Sequence, residues 1–348
     1  MLKVGLDTSP LYGPSSVRGV GKYVSQLLSS LRSTKKVKVV ELKDSFNLRN
    51  VDLVHYPYFD FFFLTLPFFK VKKTVVTIHD CTPLVFPERY PAGIKGKIKF
   101  FLQKLSLKNA SAIITDSESS KKDIVKFLGI PERKIKVIYL AADSDYKKIP
   151  REGRWPTFIR KKYDLGENFV LYVGDINPNK NLERLIKVFA WLPQDYNLVL
   201  AGKAFKNSRL PEVKSLSLLI KQLGLKNRVK FPGFVPGKDL AKIYNLAEVF
   251  CLPSLYEGFG LPILEAMACG CPVVVGNVSS MSEVADGAAV LVDPNSEESI
   301  FSGLRKIVEK EDLRNDLIKA GFKRANNFSW QKTAQETVKV YQEVLCRN

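Results

Sequence analysis

Residues 253–270 read PSLYEGFGLPILEAMACG and follow the apolar run VFCL at residues 249–252. Gly258 and Gly260 allow the backbone of this loop to approach a ligand, and Pro262 suits the first turn of a helix. A strand, a glycine loop and a helix in this order are typical of a parallel α/β sheet, and the free amides at the helix start form an anion site suited to a diphosphate. Glu257 and Glu265 would repel phosphates, so we expect them to bind sugar and ribose hydroxyls.

The same alternation of short apolar runs and helical stretches extends over most of the 348 residues, which are too many for one ordinary core. The runs form two series, separated by a polar segment. They predict an α/β fold with two Rossmann-like, doubly wound parallel-sheet domains that face an interdomain cleft. The predicted bounds are 1–150 for the first domain, 151–166 for a linker, 167–328 for the second domain, and 329–348 for a helix that crosses back. The predicted strands are 3–6, 37–41, 51–56, 74–78, 112–115, 136–139, 169–174, 197–202, 229–233, 249–253, 272–276 and 289–292.

The chain is strongly basic, with a formal net charge of +19. Two thirds of the surplus lies before residue 151, where 26 Lys and Arg face 13 Asp and Glu. A surplus of this size predicts an anionic partner: nucleic acid, a membrane surface or a phosphorylated ligand.

Cysteine and histidine usage argues against a metal site. The five cysteines are odd in number and lack paired spacing, and the chain has only two histidines. Asp143-Ser-Asp145 spells an Asp-x-Asp metal motif, but it lies in the polar segment rather than after a strand of a sheet. We therefore expect reduced core thiols and no metal or other cofactor. The N-terminus enters a strand at once, so we expect a cytoplasmic protein without a signal peptide or spanning helix.

The motif of residues 253–270 resembles the Glu-x7-Glu signature of retaining GT-B glycosyltransferases of family 4. The resemblance covers most of the chain and implies that the N-terminal domain lies on the acceptor side and that the C-terminal domain binds a nucleotide sugar. By this resemblance, Glu257 contacts the donor sugar, Glu265 contacts the ribose, and the base lies around Phe234 and Val235. The remaining residues of the donor site contact the diphosphate. These are Gly174, Lys180, Gly258, Phe259, Gly260 and Leu261. The other matching segments are Tyr172-Val-Gly174, Lys180-Asn-Leu, Phe231-x-Gly-Phe-Val235, Glu283-Val-Ala and Val292-Asp-Pro294.

Lys180 is the cation that a diphosphate needs, since an ammonium group can stabilise the charge of a leaving phosphate. Family members often have an Arg beside the Gly of this strand or just before the Lys, whereas this chain has Asp175 and Asn179. Either another cation assists Lys180 or the diphosphate clamp is weaker than usual. The candidates for the second cation are Arg18, Lys203 and Lys206.

In the N-terminal half, Thr77-Ile-His-Asp-Cys-Thr-Pro83 places His79 at the carboxyl end of a strand. With Asp80 it resembles the family motif whose His contacts the donor sugar and arranges the reacting centre, so His79 is expected to be catalytic together with Glu257. Gly19 and Gly21 resemble the family's N-terminal glycine loop, with Arg18 in place of one glycine. This glycine pair would approach the donor phosphates or the acceptor.

Residues 89–108 contain six basic residues and no acid, and their apolar residues recur at helical spacing. This predicts a basic helix over 92–108, which either packs its apolar face on the sheet or rests on anionic lipid. Residues 59–69, with six Phe, are either core or an apolar element beside the acceptor entrance. Nucleic acid is less favoured, because no recognition motif accompanies the charge.

The sequence and the resemblance together predict a metal-independent, retaining transfer of a hexose, with mannose the leading choice. The donor would be a GDP- or UDP-sugar, and the acceptor a glycan or lipid-linked hydroxyl at the inner face of the membrane. Two alternatives stay open. One is a nucleotide-sugar epimerase or phosphorylase-like enzyme, and the other is a basic adaptor that binds lipid or nucleic acid without turnover.

Overall fold

A computed structural model of the protein describes residues 1–12, 19–43 and 48–346. The chain forms two compact units. Unit 1 comprises Met1–Ala141 and Phe328–Asn348, and unit 2 comprises Ala142–Asn327.

Each predicted strand corresponds to a strand of the structure, within one or two residues at each end. The strands are β1 Leu2–Asp7, β2 Val37–Leu42, β3 Leu53–Tyr56, β4 Lys73–Thr77, β5 Ala112–Thr115, β6 Ile135–Val137, β7 Asn168–Val173, β8 Tyr196–Ala201, β9 Val229–Gly233, β10 Val249–Leu252, β11 Val273–Gly276 and β12 Val290–Val292. The helices are α1 Gly19–Ser33, α2 Thr82–Val85, α3 Gly93–Lys108, α4 Glu118–Asp123, α5 Trp155–Tyr163, α6 Leu182–Phe189, α7 Pro211–Gln222, α8 Gly237–Leu246, α9 Leu261–Ala268, α10 Ser280–Ala285, α11 Glu297–Glu309, α12 Glu311–Ala325 and α13 Trp330–Cys346.

Both units contain a six-stranded parallel sheet, as predicted for doubly wound domains. Unit 1 has the strand order β2-β1-β3-β4-β5-β6, and unit 2 has the order β12-β11-β10-β7-β8-β9. The central strands are buried on both faces, which explains why their sequences are continuous apolar runs rather than alternating ones. In unit 2 the chain reverses its strand order between β7 and β10, and ligands of such sheets bind at the carboxyl ends of the strands beside such a reversal.

Two segments differ in detail from the sequence expectation. The predicted linker at 151–166 contains α5, whose Ile159 is fully buried, and it belongs to unit 2. Helix α3 forms as predicted, but the alternative in which its apolar side chains pack on the sheet is wrong for most of them. The exposed apolar residues of α3 are Ile94, Ile98, Phe101 and Leu102, whereas its buried residues are Gly96, Gln103, Ser106 and Leu107.

Within the described part of the chain, no helix combines the length and the apolar character needed to cross a bilayer.

Candidate active site

The loop of residues 253–260 in unit 2 joins the buried strand β10 to α9, as predicted. Gly260 caps α9 with φ +91°, a left-handed conformation that favours glycine, and a Cβ atom there would lie 2.9 Å from Cδ1 of Ile263. Pro262 lies in the first turn of the helix. The loop therefore delivers residues 259–261 to the amide end of α9, at the carboxyl end of the strands.

Glu257 and Lys180 form a close ion pair in this loop. Lys180 Nζ donates to both carboxylate oxygens of Glu257 at 2.8 Å, and the two side chains are 17% and 11% exposed. Ser254 Oγ also donates to Oε1 of Glu257 at 2.6 Å. Lys180 ends the turn Pro178–Lys180 after β7, so the ion pair joins the ends of the two strands between which the order reverses. Two of the three ammonium donors are used by this carboxylate, so an anionic ligand that takes Lys180 as its cation competes with Glu257.

Two serines at the start of α10 hold the backbone of Glu257. The Glu257 amide donates to Ser279 Oγ at 2.9 Å, and Ser280 Oγ donates to the Glu257 carbonyl oxygen at 2.9 Å. Ser279 has φ +52°, which is costly for a residue with a side chain. These serines were not predicted from the sequence, since nothing local in it marks a backbone contact that spans more than twenty residues.

Asn179 supports the same loop rather than facing a ligand. It is buried, its Nδ2 donates to the carbonyl oxygen of Tyr256 at 2.9 Å, and its backbone carbonyl oxygen accepts from the Leu255 amide at 2.7 Å. Asp175 uses its backbone oxygen to accept from the Tyr172 hydroxyl at 2.6 Å. The two residues that depart from the family pattern therefore have structural contacts of their own.

Glu265 lies on α9 and is buried. Its Oε2 accepts from the Tyr244 hydroxyl at 3.1 Å. Burial and the charge of Glu265 raise the pKa of Tyr244 well above its ordinary value, so this tyrosine stays protonated and keeps donating. The carboxylate of Glu265 is thus held in place on the same helix whose first turn follows the glycine loop.

The carboxyl ends of β7 and β8 approach each other closely. A Cβ atom on Gly202 would lie 2.1 Å from the carbonyl oxygen of Gly174, so two backbones meet where side chains do not fit. Lys203 and Lys206 are exposed in the turn after β8, whereas Arg18, the third candidate cation, lies outside the described residues. Phe234 and Val235 follow β9, with Phe234 exposed and Val235 buried.

His79 lies two residues beyond β4 in unit 1 and contacts a carboxylate that the sequence analysis did not identify. Its Nδ1 is 2.6 Å from Oδ2 of Asp116, which directly follows β5, and its Nε2 is 3.2 Å from the carbonyl oxygen of Pro57. Burial alone would lower the pKa of His79, but the charge and hydrogen bond of Asp116 outweigh it and raise that pKa. Asp116 could have been inferred only from the pairing of β4 with β5, which brings their ends together.

The other histidine has a different environment. His55 is buried in β3, with Nδ1 2.7 Å from the Tyr341 hydroxyl and Nε2 2.8 Å from Thr77 Oγ1. Burial, followed by the charge of His79, lowers the pKa of His55 to about 3, so it is neutral at ordinary pH. Gly19 and Gly21 form the first turn of α1; Gly19 is exposed and Gly21 is buried.

Within residues 1–12, 19–43 and 48–346, no group of three or more His, Cys, Asp and Glu side chains is arranged so that it could hold a metal ion. In the Asp-x-Asp sequence, Asp143 Oδ1 accepts from the Asp145 amide at 3.1 Å, which is an ordinary turn contact.

Comparisons with known proteins agree with this geometry. Residues 155–324 match the family model of glycosyl transferases group 1, and residues 28–146 match that of glycosyltransferase family 4. The chain is 33% identical over 279 residues to an O-antigen chain mannosyltransferase B of Escherichia coli, which covers 78% of this chain and 71% of that protein. It is 31% identical over 242 residues to the O-antigen chain mannosyltransferase RfbU of Salmonella typhimurium, which covers 70% of this chain and 63% of that protein.

A solved structure shares the fold along the whole chain. The sucrose-phosphate synthase from Thermosynechococcus elongatus superposes with a TM-score of 0.80 at 19% identity, and the match covers 100% of both chains. Two six-stranded parallel sheets, the matched family models and the identity to the relatives lead to one conclusion. The chain belongs to the group 1, family 4 glycosyltransferases and is an enzyme of the GT-B fold.

Proposed function

We propose that the enzyme transfers a hexose, mannose foremost, from a nucleotide diphosphate sugar to a hydroxyl of a glycan or lipid-linked acceptor, with retention at the anomeric carbon. The single observation that carries the donor part is the Lys180–Glu257 pair beside the amide end of α9. It places a cation and a carboxylate beside the backbone amides of a helix start, which are the groups that a sugar diphosphate requires. The choice of mannose rests on the relatives, two of which are named mannosyltransferases.

In this proposal the diphosphate takes Lys180 away from Glu257. The amides of residues 259–261 then hold the phosphate oxygens, and Gly174, which directly follows β7, lies beside the diphosphate. The released carboxylate of Glu257 accepts hydrogen bonds from hydroxyls of the donor sugar, and Glu265 does the same for the ribose. Phe234 and Val235 lie beside the base. The cation and the amides supply the electrostatic stabilisation, so the reaction proceeds without a metal ion.

The reaction breaks the bond between the anomeric carbon and the oxygen of the leaving phosphate. The acceptor oxygen forms the new bond on the same face, and its proton passes to the leaving phosphate oxygen. Lys180 stabilises the charge that develops on that phosphate. His79 is proposed to donate a hydrogen bond to an oxygen of the substrate. The first turn of α1, which contains Gly19 and Gly21, is proposed to lie beside the substrate.

A matched pair of variants tests the donor part. Lys180→Met should abolish acceptor-dependent release of nucleoside diphosphate and the rise in melting temperature caused by GDP or UDP, because the phosphates lose their cation. The control is Lys230→Met, which removes a lysine paired with Asp164 at 2.7 Å elsewhere in unit 2. It should leave both readouts intact. Turnover of the donor without any acceptor would instead favour the epimerase alternative.

The acceptor part includes peripheral contact with an anionic membrane through unit 1. Exposed apolar side chains come from α3 and from the segment before β4, and they include Ile94 at 82% and Phe69 at 81% exposure. Lysines lie among them, and residues 89–108 contain no acid. Apolar side chains that enter the interface and lysines that meet lipid phosphates together form a surface suited to anionic lipid. The exposed apolar residues of this surface are Phe63, Leu64, Phe68, Phe69, Val71, Ile94, Ile98, Phe101 and Leu102.

Vesicle sedimentation tests this surface. Wild type should sediment with vesicles that contain phosphatidylglycerol and should not sediment with vesicles of phosphatidylcholine alone. Ile94→Ser/Phe69→Ser should weaken the association at every salt concentration, whereas Lys95→Ala/Lys97→Ala should weaken it chiefly at low salt. The matched control is Leu218→Ser, an exposed apolar residue of unit 2. Equal binding of all variants would contradict the assignment.

A further inference from the structure

The carboxyl ends of β4 and β5 bring one histidine and one aspartate together in unit 1. The strands are parallel neighbours in which Thr77 lies opposite Ile114, and the Ile78 amide donates to the Ile114 carbonyl oxygen at 2.9 Å. His79 and Asp116 therefore leave the sheet side by side. Asp116 is 2% exposed, and its Oδ2 lies 2.6 Å from Nδ1 of His79.

The partners of the imidazole determine where its protons are. Nε2 faces the carbonyl oxygen of Pro57, which can only accept, so Nε2 carries a hydrogen. Nδ1 faces a buried carboxylate whose second oxygen, Oδ1, has no hydrogen-bond partner among the described residues. A buried carboxylate in this condition needs a neighbouring positive charge, and the imidazole is the group placed to supply it.

The other titratable groups around His79 are compatible with a positive charge there. Asp80 adds a second negative charge that favours the protonated ring. The rings of Tyr23, on α1, and His79 meet in a T-shaped arrangement with 4.6 Å between centroids, and burial raises the pKa of Tyr23, so this tyrosine stays neutral. His55 on β3 also stays neutral, because its pKa is lowered to about 3 by burial and by the charge of His79.

We propose that Asp116 is a positioning residue that holds His79 as a doubly protonated, cationic donor. The Nδ1–H group of His79 stays hydrogen-bonded to Asp116. The Nε2–H group, whose contact with the carbonyl oxygen of Pro57 is long at 3.2 Å, is offered to a substrate oxygen. A ring that holds both protons cannot act as a general base. It acts by donation, and it favours an oxygen that gains negative charge during the reaction. The part that concerns substrate rests on the proposed transfer function, whereas the charge state of the ring does not.

NMR of histidine ring nitrogens tests the charge state in the free protein, without turnover. The chain has only two histidines, so two sets of signals are expected, and His79→Gln assigns them. The His55 signals should not titrate between about pH 5 and pH 9. The His79 signals should be those of an imidazolium and should titrate above the ordinary value of about 6.5. Asp116→Asn should lower the apparent pKa of His79 by at least about one unit, which is tenfold in proton affinity.

Two results would overturn the proposal. One is a wild-type ring that carries hydrogen on Nε2 alone at pH 7, since the shared proton would then belong to Asp116. The other is an Asp116→Asn protein in which the His79 titration is unchanged. The wild-type spectrum decides the first point even where the variant does not fold.

The activity profile tests the link to catalysis. The pKa of His79 is raised, so the ring is charged below that pKa and loses its charge as the pH rises through it. The alkaline limb of kcat/KM should therefore move to lower pH in Asp116→Asn, whereas a merely structural role would lower activity equally at every pH. An inactive protein whose ring is an imidazolium would reject the transfer function alone. An active one with a neutral ring would reject this proposal alone.

Discussion

Replacing Glu257 by glutamine should tighten the binding of a nucleoside diphosphate to the free protein, although it should impair transfer. Lys180 Nζ donates to both oxygens of Glu257 at 2.8 Å, and a diphosphate competes with that carboxylate for the ammonium group. Glutamine keeps one acceptor oxygen but removes the charge. The carboxamide can also keep the hydrogen bond from Ser254, and the backbone contacts of Ser279 and Ser280 stay in place.

The magnitude follows from the contact that is lost. A hydrogen bond to a charged group contributes about 1.5–3 kcal/mol, and a neutral one about 1 kcal/mol. The side chains of Lys180 and Glu257 are 17% and 11% exposed, so solvent screens their attraction only in part. The difference, about 0.5–2 kcal/mol, corresponds to binding that is tighter by roughly twofold to thirtyfold, at 1.4 kcal/mol per factor of ten. The sugar hydroxyls lose their charged acceptor, so the rate of transfer should fall by about tenfold or more.

Isothermal titration calorimetry with GDP and with UDP measures the effect. The matched control is Asp164→Asn, which neutralises a carboxylate that accepts from Lys230 at 2.7 Å. It should leave nucleotide binding unchanged. The double variant Lys180→Met/Glu257→Gln should lose the gain, because no ammonium group is left for the phosphates. Weaker binding by Glu257→Gln than by wild type would refute the competition between carboxylate and diphosphate.

Three further substitutions test the contacts that hold the site residues in place. Each is measured by the thermal unfolding of the unit that contains the substituted residue. Ser279→Ala should be less stable than Ser279→Gly by about 1 kcal/mol, because both lose the hydroxyl but only glycine relieves the strain of φ +52°; equal stability would mean that the strain is absent. Gly202→Ala should destabilise unit 2 by about 1–3 kcal/mol or more, since its Cβ would lie 2.1 Å from the carbonyl oxygen of Gly174, and an unchanged transition would show that the strand ends can separate. Tyr341→Phe should destabilise unit 1 by about 1–3 kcal/mol, because Nδ1 of His55 is left buried without its partner, and a neutral effect would argue against that hydrogen bond.

The sequence predicted all twelve strands because buried parallel strands are short, continuous apolar runs between helical stretches. The loop of residues 253–260 was also accessible, since its glycines and Pro262 are local signals for a loop and a helix start. These features depend on neighbours in the chain, which a single sequence displays directly.

Contacts between distant segments were not accessible in this way. Asp116 meets His79 only because β5 pairs with β4, and Ser279 meets Glu257 only because α10 starts beside the loop after β10. The exposed apolar residues of α3 were ambiguous for a related reason. Helical spacing gives the relative positions of Ile94 and Ile98 on the helix, but it does not show which side of that helix meets the sheet.

The most direct test of the proposed transfer is the stereochemistry and acceptor dependence of the product. GDP-mannose and UDP-glucose would be incubated with the protein and a synthetic lipid-linked glycan, and the glycosidic bond would be examined by proton NMR. We expect a single new bond with the anomeric configuration of the donor, together with release of one nucleoside diphosphate for each sugar transferred. An inverted bond, or donor turnover that is the same without acceptor, would contradict it.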